Sequence, residues 1–166
     1  MNETKKLRVA LFFGGVSSEH EVSCVSASTW LRALAQAPCA DRYEVFPVGI
    51  TKQGRWLACS PTPEAMADGS WEKGADCTPC VLSPDRTDHG IWMLKDGKAE
   101  LVHIDICAPV MHGKNGEDGT IQGLFELARI PYVGCGVLGS AVCMDKAVAN
   151  TIMDAAGVPH CKWASA

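Results

Sequence analysis

Hydrophobic residues occur along the chain in short continuous runs, two of which lead into a glycine-rich loop and then an amphipathic stretch. Residues 7–13 and 104–111 are these two runs, and such runs are typical of strands buried on both faces of a sheet. Residues 18–36 and 120–129 follow the two loops and repeat apolar positions at helical spacing. The alternation predicts an α/β fold with a doubly wound, mainly parallel sheet.

The segment between these two units predicts further strands. Residues 43–51 have the composition of a strand, in which Pro47 favours an edge position or a strand end because proline cannot donate to a ladder. Residues 54–59 predict a short strand, and Lys-Asp-Gly-Lys at residues 95–98, between two apolar runs, predicts an inserted hairpin. Residues 60–90 are rich in Pro, Ser, Asp and Gly and predict a long loop with room for one helical turn.

Local signals indicate where helices begin and end. Ser18 and Glu21 have the spacing of a capping box at the start of the first helix. After a short strand at residues 131–133, a last helix is predicted over residues 144–156, with Gly157 just past its end.

Composition narrows the class of protein. The chain has 166 residues, of which 47% are hydrophobic and 20% charged, values typical of a globular protein of one-domain length. A net charge of −4 and a pI near 5.7 do not favour a nucleic-acid partner, and no apolar run reaches the ~18 residues of a membrane helix. Nine irregularly spaced cysteines and the lack of a signal peptide predict a reduced, cytoplasmic protein.

Two short motifs match known patterns but lack the context that those patterns need. Residues 134–139 fit the dinucleotide-binding GxGxxG, yet the preceding strand is very short and Asp154 falls inside the last predicted helix. Cys77 and Cys80 fit CxxC without a second pair or a following helix, so this spacing does not favour a metal-binding or redox motif. Lys146 opposes the dipole of the last helix, which is consistent with a phosphate contact or with an exposed surface lysine.

Residues with chemical potential are concentrated in the two glycine-rich loops, at the carboxyl ends of the predicted strands where such folds bind ligands. In the first loop, Gly14 and Gly15 permit a sharp turn, and Glu19 can either hold an ammonium group or complement the helix dipole. The second loop, residues 112–120, is either an anion-binding nest or a solvated turn whose Asp118 caps the next helix.

Taken together, the loops resemble the N-terminal part of D-alanine–D-alanine ligases. The resemblance is carried by FFGGVSSEHEVS at residues 12–23, HGKNGEDGTIQG at residues 112–123, LFELARIPYVGCGVLGSAVCMDK at residues 124–146 and AAGVP at residues 155–159. It implies a Rossmann-like (pre-ATP-grasp) domain over residues 1–135, followed over residues 136–166 by the truncated start of the central ATP-grasp domain.

The resemblance also implies a reaction, in the bacterial cytoplasm, of peptidoglycan precursor synthesis. ATP phosphorylates the carboxylate of a first D-alanine, the amine of a second D-alanine attacks the acyl phosphate, and ADP and phosphate are released, with Mg²⁺ or Mn²⁺ bridging the phosphates. Glu19 is implied to hold the first ammonium group, and His112 to orient or deprotonate the incoming amine. The substrate-binding residues implied are Gly14, Gly15, Ser18, Glu19, His112 and Gly113. Lys146 is implied to contact the ATP phosphates, and no residue here is expected to bind the metal.

In the family, the chain continues with most of the ATP pocket and both metal-binding carboxylates. We therefore expect this chain to fold, to bind neither ATP nor metal tightly, and not to ligate alone. The resemblance further implies a homodimer formed through this domain. Two alternatives stay open. One is a vancomycin-resistance-type ligase that makes D-alanine–D-lactate or D-serine, although Glu21 favours the D-alanine enzyme because the lactate type tends to have Asp there. The other is a non-catalytic domain that binds a small ligand or mediates dimerisation.

Overall fold

Within residues 5–164, which the computed structural model describes, seven strands form one sheet. The strands are β1 Leu7–Gly14, β2 Tyr43–Ile50, β3 Trp56–Ala58, β4 Thr78–Leu82, β5 Gly90–Lys95, β6 Lys98–His103 and β7 Ile106–Pro109. Their order across the sheet is β6-β5-β4-β3-β2-β1-β7. β1 pairs in parallel with β2 and with β7, and the other pairings are antiparallel.

The α/β class predicted from the sequence is confirmed, but the sheet is mixed. The predicted hairpin is present, with Asp96 and Gly97 at φ of 53° and 72° in its two-residue turn. It belongs to a larger antiparallel extension, β3–β6, because β4 forms within the segment predicted as a loop. Only Cys80 and Leu82 of β4 are buried, and two apolar positions in a proline-rich stretch give a weak strand signal.

Pro47 lies inside the sheet, so the predicted edge or strand-end position is wrong. It pairs with Leu11 of β1, and β2 has β3 on its other side. There, β3 ends at Ala58, opposite Val48, and the Pro47 carbonyl accepts a hydrogen bond from the Cys59 amide at 3.2 Å. The proline nitrogen therefore faces the point where β3 stops, and it interrupts no hydrogen bond of the ladder between β1 and β2.

Helices cover both faces of the sheet. They are α1 His20–Leu34, α2 Cys39–Arg42, α3 Pro63–Ala67, α4 Thr120–Ala128, α5 Val137–Met144 and α6 Lys146–Ala155, with a 3₁₀ turn at Ser70–Lys73. None of the helices in this described part of the chain is long and apolar enough to cross a bilayer.

Two predicted helix boundaries are wrong. α1 begins after Glu19, which makes no side-chain capping bond, so Ser18 and Glu21 form no capping box. The last helix, predicted from residue 144, begins at Lys146 as α6, and α5 before it was not predicted. The extended backbone of Asp145 separates the two helices, and its Oδ1 accepts hydrogen bonds from two amides of α6 at 3.0 Å. Gly157 follows α6 with a φ of 67°, as predicted.

The core consists of two clusters, one on each face of β1. Phe12 packs on Phe125 of α4, with ring centroids 5.2 Å apart. Phe13 points to the opposite face and packs on Trp71 of the 3₁₀ turn, with ring centroids 4.8 Å apart. Both phenylalanines are fully buried, so β1 is the two-faced strand that its continuous apolar run predicts.

Gly49 of β2 lies directly under the ring of Trp71, which is 2% exposed. A Cβ at this position would overlap the six-membered ring. We expect Gly49→Ala to lower the free energy of unfolding by about 1–3 kcal/mol through overpacking. The measurement is urea unfolding followed by tryptophan fluorescence.

Gly123 offers a matched control, because no atom lies within 4 Å of a Cβ built there and the residue is inside α4. Gly123→Ala should raise the free energy of unfolding by about 0.5–1 kcal/mol, the usual gain of alanine over glycine in a helix. Similar values for the two variants would contradict the packing proposed for Trp71.

Asp105, just before β7, ties this strand to β1. Its Oδ2 accepts a hydrogen bond from the Arg8 amide at 2.6 Å, and its Oδ1 lies 3.2 Å from Nε2 of His103. The Arg8 hydrogen bond is the main cause of the lowered pKa of Asp105. A lowered pKa stabilises the fold at pH values above the ordinary carboxyl pKa, and this stabilisation is lost as the pH falls through the folded-state pKa.

Asp105→Asn should therefore lower the free energy of unfolding by about 1–2 kcal/mol near pH 7, and by less below about pH 4. Urea unfolding at both pH values tests this. Asp41→Asn is the control, because it makes the same charge change at an exposed position in α2. An equal loss for Asp105→Asn at both pH values would contradict the assignment.

Candidate functional site

The two glycine-rich loops lie side by side because the strands that lead into them are parallel neighbours. β1 ends at Gly14 and β7 at Pro109, in register at Phe12 and Pro109. The pairing continues beyond Pro109 toward the second loop, where the Val110 amide donates to the Phe12 carbonyl at 2.9 Å. The prediction that both loops meet at the carboxyl edge of the sheet is therefore confirmed.

The first loop is fixed by backbone hydrogen bonds and by a buried histidine. Gly14 and Gly15 have φ of 81° and 103°, and the Gly15 amide donates to the Ile50 carbonyl at 2.7 Å. Nδ1 of His20 lies 2.7 Å from the Gly15 carbonyl, and the His20 ring is buried. Sequence reasoning gave His20 no role, because nothing in the spacing indicates that its ring turns back onto the preceding loop.

Ser23 of α1 connects both loops from inside the core. Its hydroxyl accepts a hydrogen bond from the Gly14 amide at 2.8 Å and donates one to the Val110 carbonyl at 2.5 Å. The residue is fully buried. The sequence analysis missed this serine, since a buried hydroxyl cannot be distinguished from an exposed one by residue type.

Ser17 makes a second connection, at the surface, and brings Glu19 to the second loop. Its hydroxyl donates to the His112 carbonyl at 2.7 Å and accepts from the Glu19 amide at 3.1 Å. The Glu19 carboxylate then lies against Gly113, so closely that a Cβ on Gly113 would overlap Oε2. Ser18, by contrast, is exposed in the turn between them.

His112 is held from two sides and stays partly open to solvent, with 32% of its side chain exposed. Nε2 lies 2.9 Å from the hydroxyl of Ser26 on α1, and Nδ1 lies 3.8 Å from Oε1 of Glu117. The other oxygen of Glu117 accepts the Gly113 amide at 2.8 Å. Glu19, His112 and Gly113 therefore share one small region of the edge.

Carboxylates of the second loop accept hydrogen bonds from backbone amides of the same loop, which favours the solvated-turn alternative over an anion nest. Asp118 accepts hydrogen bonds from the Asn115 amide at 2.8 Å and from the Thr120 amide at 3.0 Å. Partial burial works against ionisation of Asp118, but these hydrogen bonds lower its pKa overall. Glu117 likewise accepts a hydrogen bond from the Gly113 amide. An anion could bind these amides only by displacing the carboxylates.

Lys146 lies apart from these residues, at the start of α6. Its Nζ donates to the Cys143 carbonyl at 2.8 Å, at the end of α5. Among residues 5–164, no group of three or more His, Cys, Asp or Glu side chains is placed to hold a metal ion. The GxGxxG of residues 134–139 ends inside α5, and Asp154 lies in α6, so the strand that a dinucleotide fingerprint needs is missing there.

An apolar cleft opens beside the loops on the α4 side of the edge. It has a volume of about 290 Å³ and is lined mainly by Val16, Trp56, Met111, Ile121 and Leu124. Gly15 and Asn115 extend its wall to the two loops. The cleft was not predicted, since its lining comes from four separate segments of the chain.

Comparison with known proteins agrees with the architecture of this edge. A D-alanine–D-alanine ligase of Caldicellulosiruptor bescii is 49% identical over 155 residues, which are 93% of this chain and 41% of the relative. The vancomycin B-type resistance protein VanB of Enterococcus faecalis is 45% identical over 154 residues, 92% of this chain and 42% of that protein. Among solved structures, the VanG D-Ala:D-Ser ligase of Enterococcus faecalis has a TM-score of 0.83 at 38% identity, covering 92% of this chain and 43% of that one.

The chain thus spans about two fifths of the length of these relatives. A family model described as the D-ala D-ala ligase N-terminus matches residues 8–135, from β1 to the short bridge that follows α4. This match covers both loops and every residue placed at the edge. The chain therefore belongs to the D-alanine–D-alanine ligase family, of which it contains the N-terminal domain.

Proposed function

We propose that this chain supplies the part of an ATP-dependent D-alanine–D-alanine ligase that binds the first D-alanine. The observation that carries the proposal is the position of the Glu19 carboxylate, which lies against Gly113 and beside His112 where two loops meet. Glu19 forms no ion pair within the described part of the chain, whereas Glu21 pairs with Lys52. Glu19 is thus available to an ammonium group.

Each residue then has a role that follows from its surroundings. Glu19 holds the ammonium group of the first D-alanine by a charge-assisted hydrogen bond. Gly14, Gly15 and Gly113 keep the backbone close to the substrate without a side chain in the way, and Ser18 lies exposed in the same loop.

His112 is proposed to orient the incoming amine and to accept its proton. An imidazole is suited to this task because its ordinary pKa is near neutrality. The Ser26 hydroxyl holds the ring through Nε2 at 2.9 Å, whereas Nδ1 lies 3.8 Å from the Glu117 carboxylate and is the nitrogen proposed to accept the proton. An amine that has lost its proton to His112 can attack an activated carboxylate, which its ammonium form cannot do.

ATP would supply the phosphoryl group that activates the first carboxylate, and Mg²⁺ would offset the charge of the phosphates. The described residues do not fit a metal site, since no carboxylate cluster is present among them, and Lys146 is the candidate here for a phosphate contact. We propose that the nucleotide and the metal are bound by parts of the ligase outside the region matched here. Residues 136–166 are then the start of the central domain, and cytoplasmic location and homodimer formation belong to the same proposal.

A second candidate, ligation of D-alanine to D-lactate or D-serine, is supported by the near-equal similarity to VanB. Glu21 does not decide between them, because it is exposed in the first turn of α1 and paired with Lys52.

The proposal is tested in a chimera in which this chain replaces the matched N-terminal segment of the Caldicellulosiruptor bescii ligase. We expect phosphate release that depends on D-alanine. Glu19→Gln should raise KM for the first D-alanine about 10-fold or more, because one charge-assisted hydrogen bond is lost. Offering D-lactate or D-serine as second substrate in the same assay tests the second candidate.

Glu21→Gln is the matched control, with the same charge change two positions away at a carboxylate already paired with Lys52. It should leave KM for D-alanine within about twofold of the parent, since exposed ion pairs contribute little. An unchanged KM in Glu19→Gln, or an equal rise in both variants, would refute the role of Glu19.

The isolated chain should release no phosphate in the presence of ATP, Mg²⁺ and D-alanine. The reason is that the described residues form no metal site of their own. The assay is a colorimetric phosphate measurement, with the active chimera as positive control. Turnover by the chain alone would refute the proposed division of the site.

A further inference from the structure

Cys59 and Cys77 face each other across the end of the β3–β4 ladder. Ala58 of β3 is paired with Thr78 of β4 in antiparallel register. One step further along, this register puts Cys59 opposite Cys77. The next step is visible too, because the Ser60 amide donates to Oδ2 of Asp76 at 2.7 Å. The two segments therefore stay together beyond the last ladder pair.

The hydrogen bonds of the two cysteines point away from each other. The Cys59 amide donates to the Pro47 carbonyl of β2 at 3.2 Å, and the Cys77 amide donates to Gly74 at 3.3 Å. Cys59 and Cys77 thus occupy a non-hydrogen-bonded pair, in which Cα atoms approach to about 4.5 Å. This separation falls within the ~4.4–6.8 Å that a disulfide bond spans.

Both thiols point to the same face of the sheet. Cys59 belongs to the core cluster that contains Trp71, and Cys77 packs against that cluster. The Cys77 thiol donates to the Trp71 carbonyl at 3.1 Å, and each of the two thiols influences the pKa of the other.

We propose that Cys59 and Cys77 are a redox-sensitive pair that a peroxide converts to an intramolecular disulfide. In the first step, the Cys77 sulfur attacks hydrogen peroxide, the O–O bond breaks, and a sulfenic acid and one water form. In the second step, the Cys59 sulfur attacks the Cys77 sulfur, and the hydroxyl leaves with a proton as a second water. Two thiols and one peroxide become one disulfide and two waters.

Cys77 reacts first because it is the more accessible of the two, while Cys59 is 6% exposed. Burial raises the pKa of both thiols, so the thiolate population at neutral pH is small and oxidation is slow. Asp76, beside Cys77, also raises the pKa of that thiol. The rate of disulfide formation should therefore increase with pH through the alkaline range.

The pairing is selective against the CxxC partner. Cys80 is buried in the other core cluster, on the opposite face of the sheet from Cys59. Three positions separate Cys77 from Cys80, and residues an odd number apart on a strand point to opposite faces. A bridge within Cys77-Thr-Pro-Cys80 would therefore require β4 to be disrupted.

The test is peptide mapping of the chain after treatment with hydrogen peroxide at equimolar amounts. Trypsin cleaves after Arg55, Lys73 and Arg86, so Cys59 is released on residues 56–73 and Cys77 on residues 74–86. We expect these two peptides to be joined in the non-reduced digest, with the loss of two hydrogen atoms and of two free thiols. The joined peptides should separate on reduction.

Matched serine variants identify the partners. Cys80→Ser should retain the joined peptides, whereas Cys77→Ser should lose them and keep the Cys59 thiol free. Circular dichroism of each variant checks that it is folded. Joined peptides that disappear in Cys80→Ser, or a preference for the exposed Cys135, Cys143 and Cys161, would overturn the proposal. None of these readouts depends on ligase activity.

Discussion

The parallel pairing of β1 with β7 is the constraint on which the rest of the structure depends. Two strands that run in the same direction deliver their loops to the same edge, and no antiparallel neighbour would do so. The pairing holds because β1 is buried on both faces, by Phe125 through α4 and by Trp71 through the 3₁₀ turn. The buried hydroxyl of Ser23 then joins the backbone at the ends of the two strands, through Gly14 and Val110. The positions of the loops at the edge therefore depend on packing in the core.

The carboxylates at this edge of the sheet differ in whether they are bound to other groups of the protein. The carboxylates of Glu117 and Asp118 accept hydrogen bonds from amides of their own loop, and Glu21 is paired with Lys52. Glu19 differs from all three, because its backbone amide is bound to Ser17 while its carboxylate extends to Gly113. Among these four carboxylates, only that of Glu19 is not bound to an amide or a lysine within the described part of the chain, which supports the proposal that it binds an ammonium group.

Elements that depend on hydrophobic periodicity or on glycine could be predicted from the sequence, whereas the hydrogen bonds of serine hydroxyls could not. The runs that form β1 and β7, the turn at Asp96 and Gly97, and the meeting of the two loops follow from apolar spacing and from φ. Ser17, Ser23 and Ser26 act through single hydrogen bonds to the second loop. A serine in or just before a helix has no sequence signal that distinguishes these roles from exposure. β4 was not predicted because its two buried residues, Cys80 and Leu82, make an alternating pattern too short to recognise.

The openness of the edge has a consequence for affinity. Glu19 is exposed, and 32% of the His112 side chain is accessible. An ion pair between exposed groups in water contributes about 0–1 kcal/mol, too little to hold a small amino acid at millimolar concentration, which needs about 4 kcal/mol. The same pair becomes stronger when water is excluded and the local dielectric constant falls. An amino acid bound at Glu19, as proposed above, would therefore need a cover from outside the described residues.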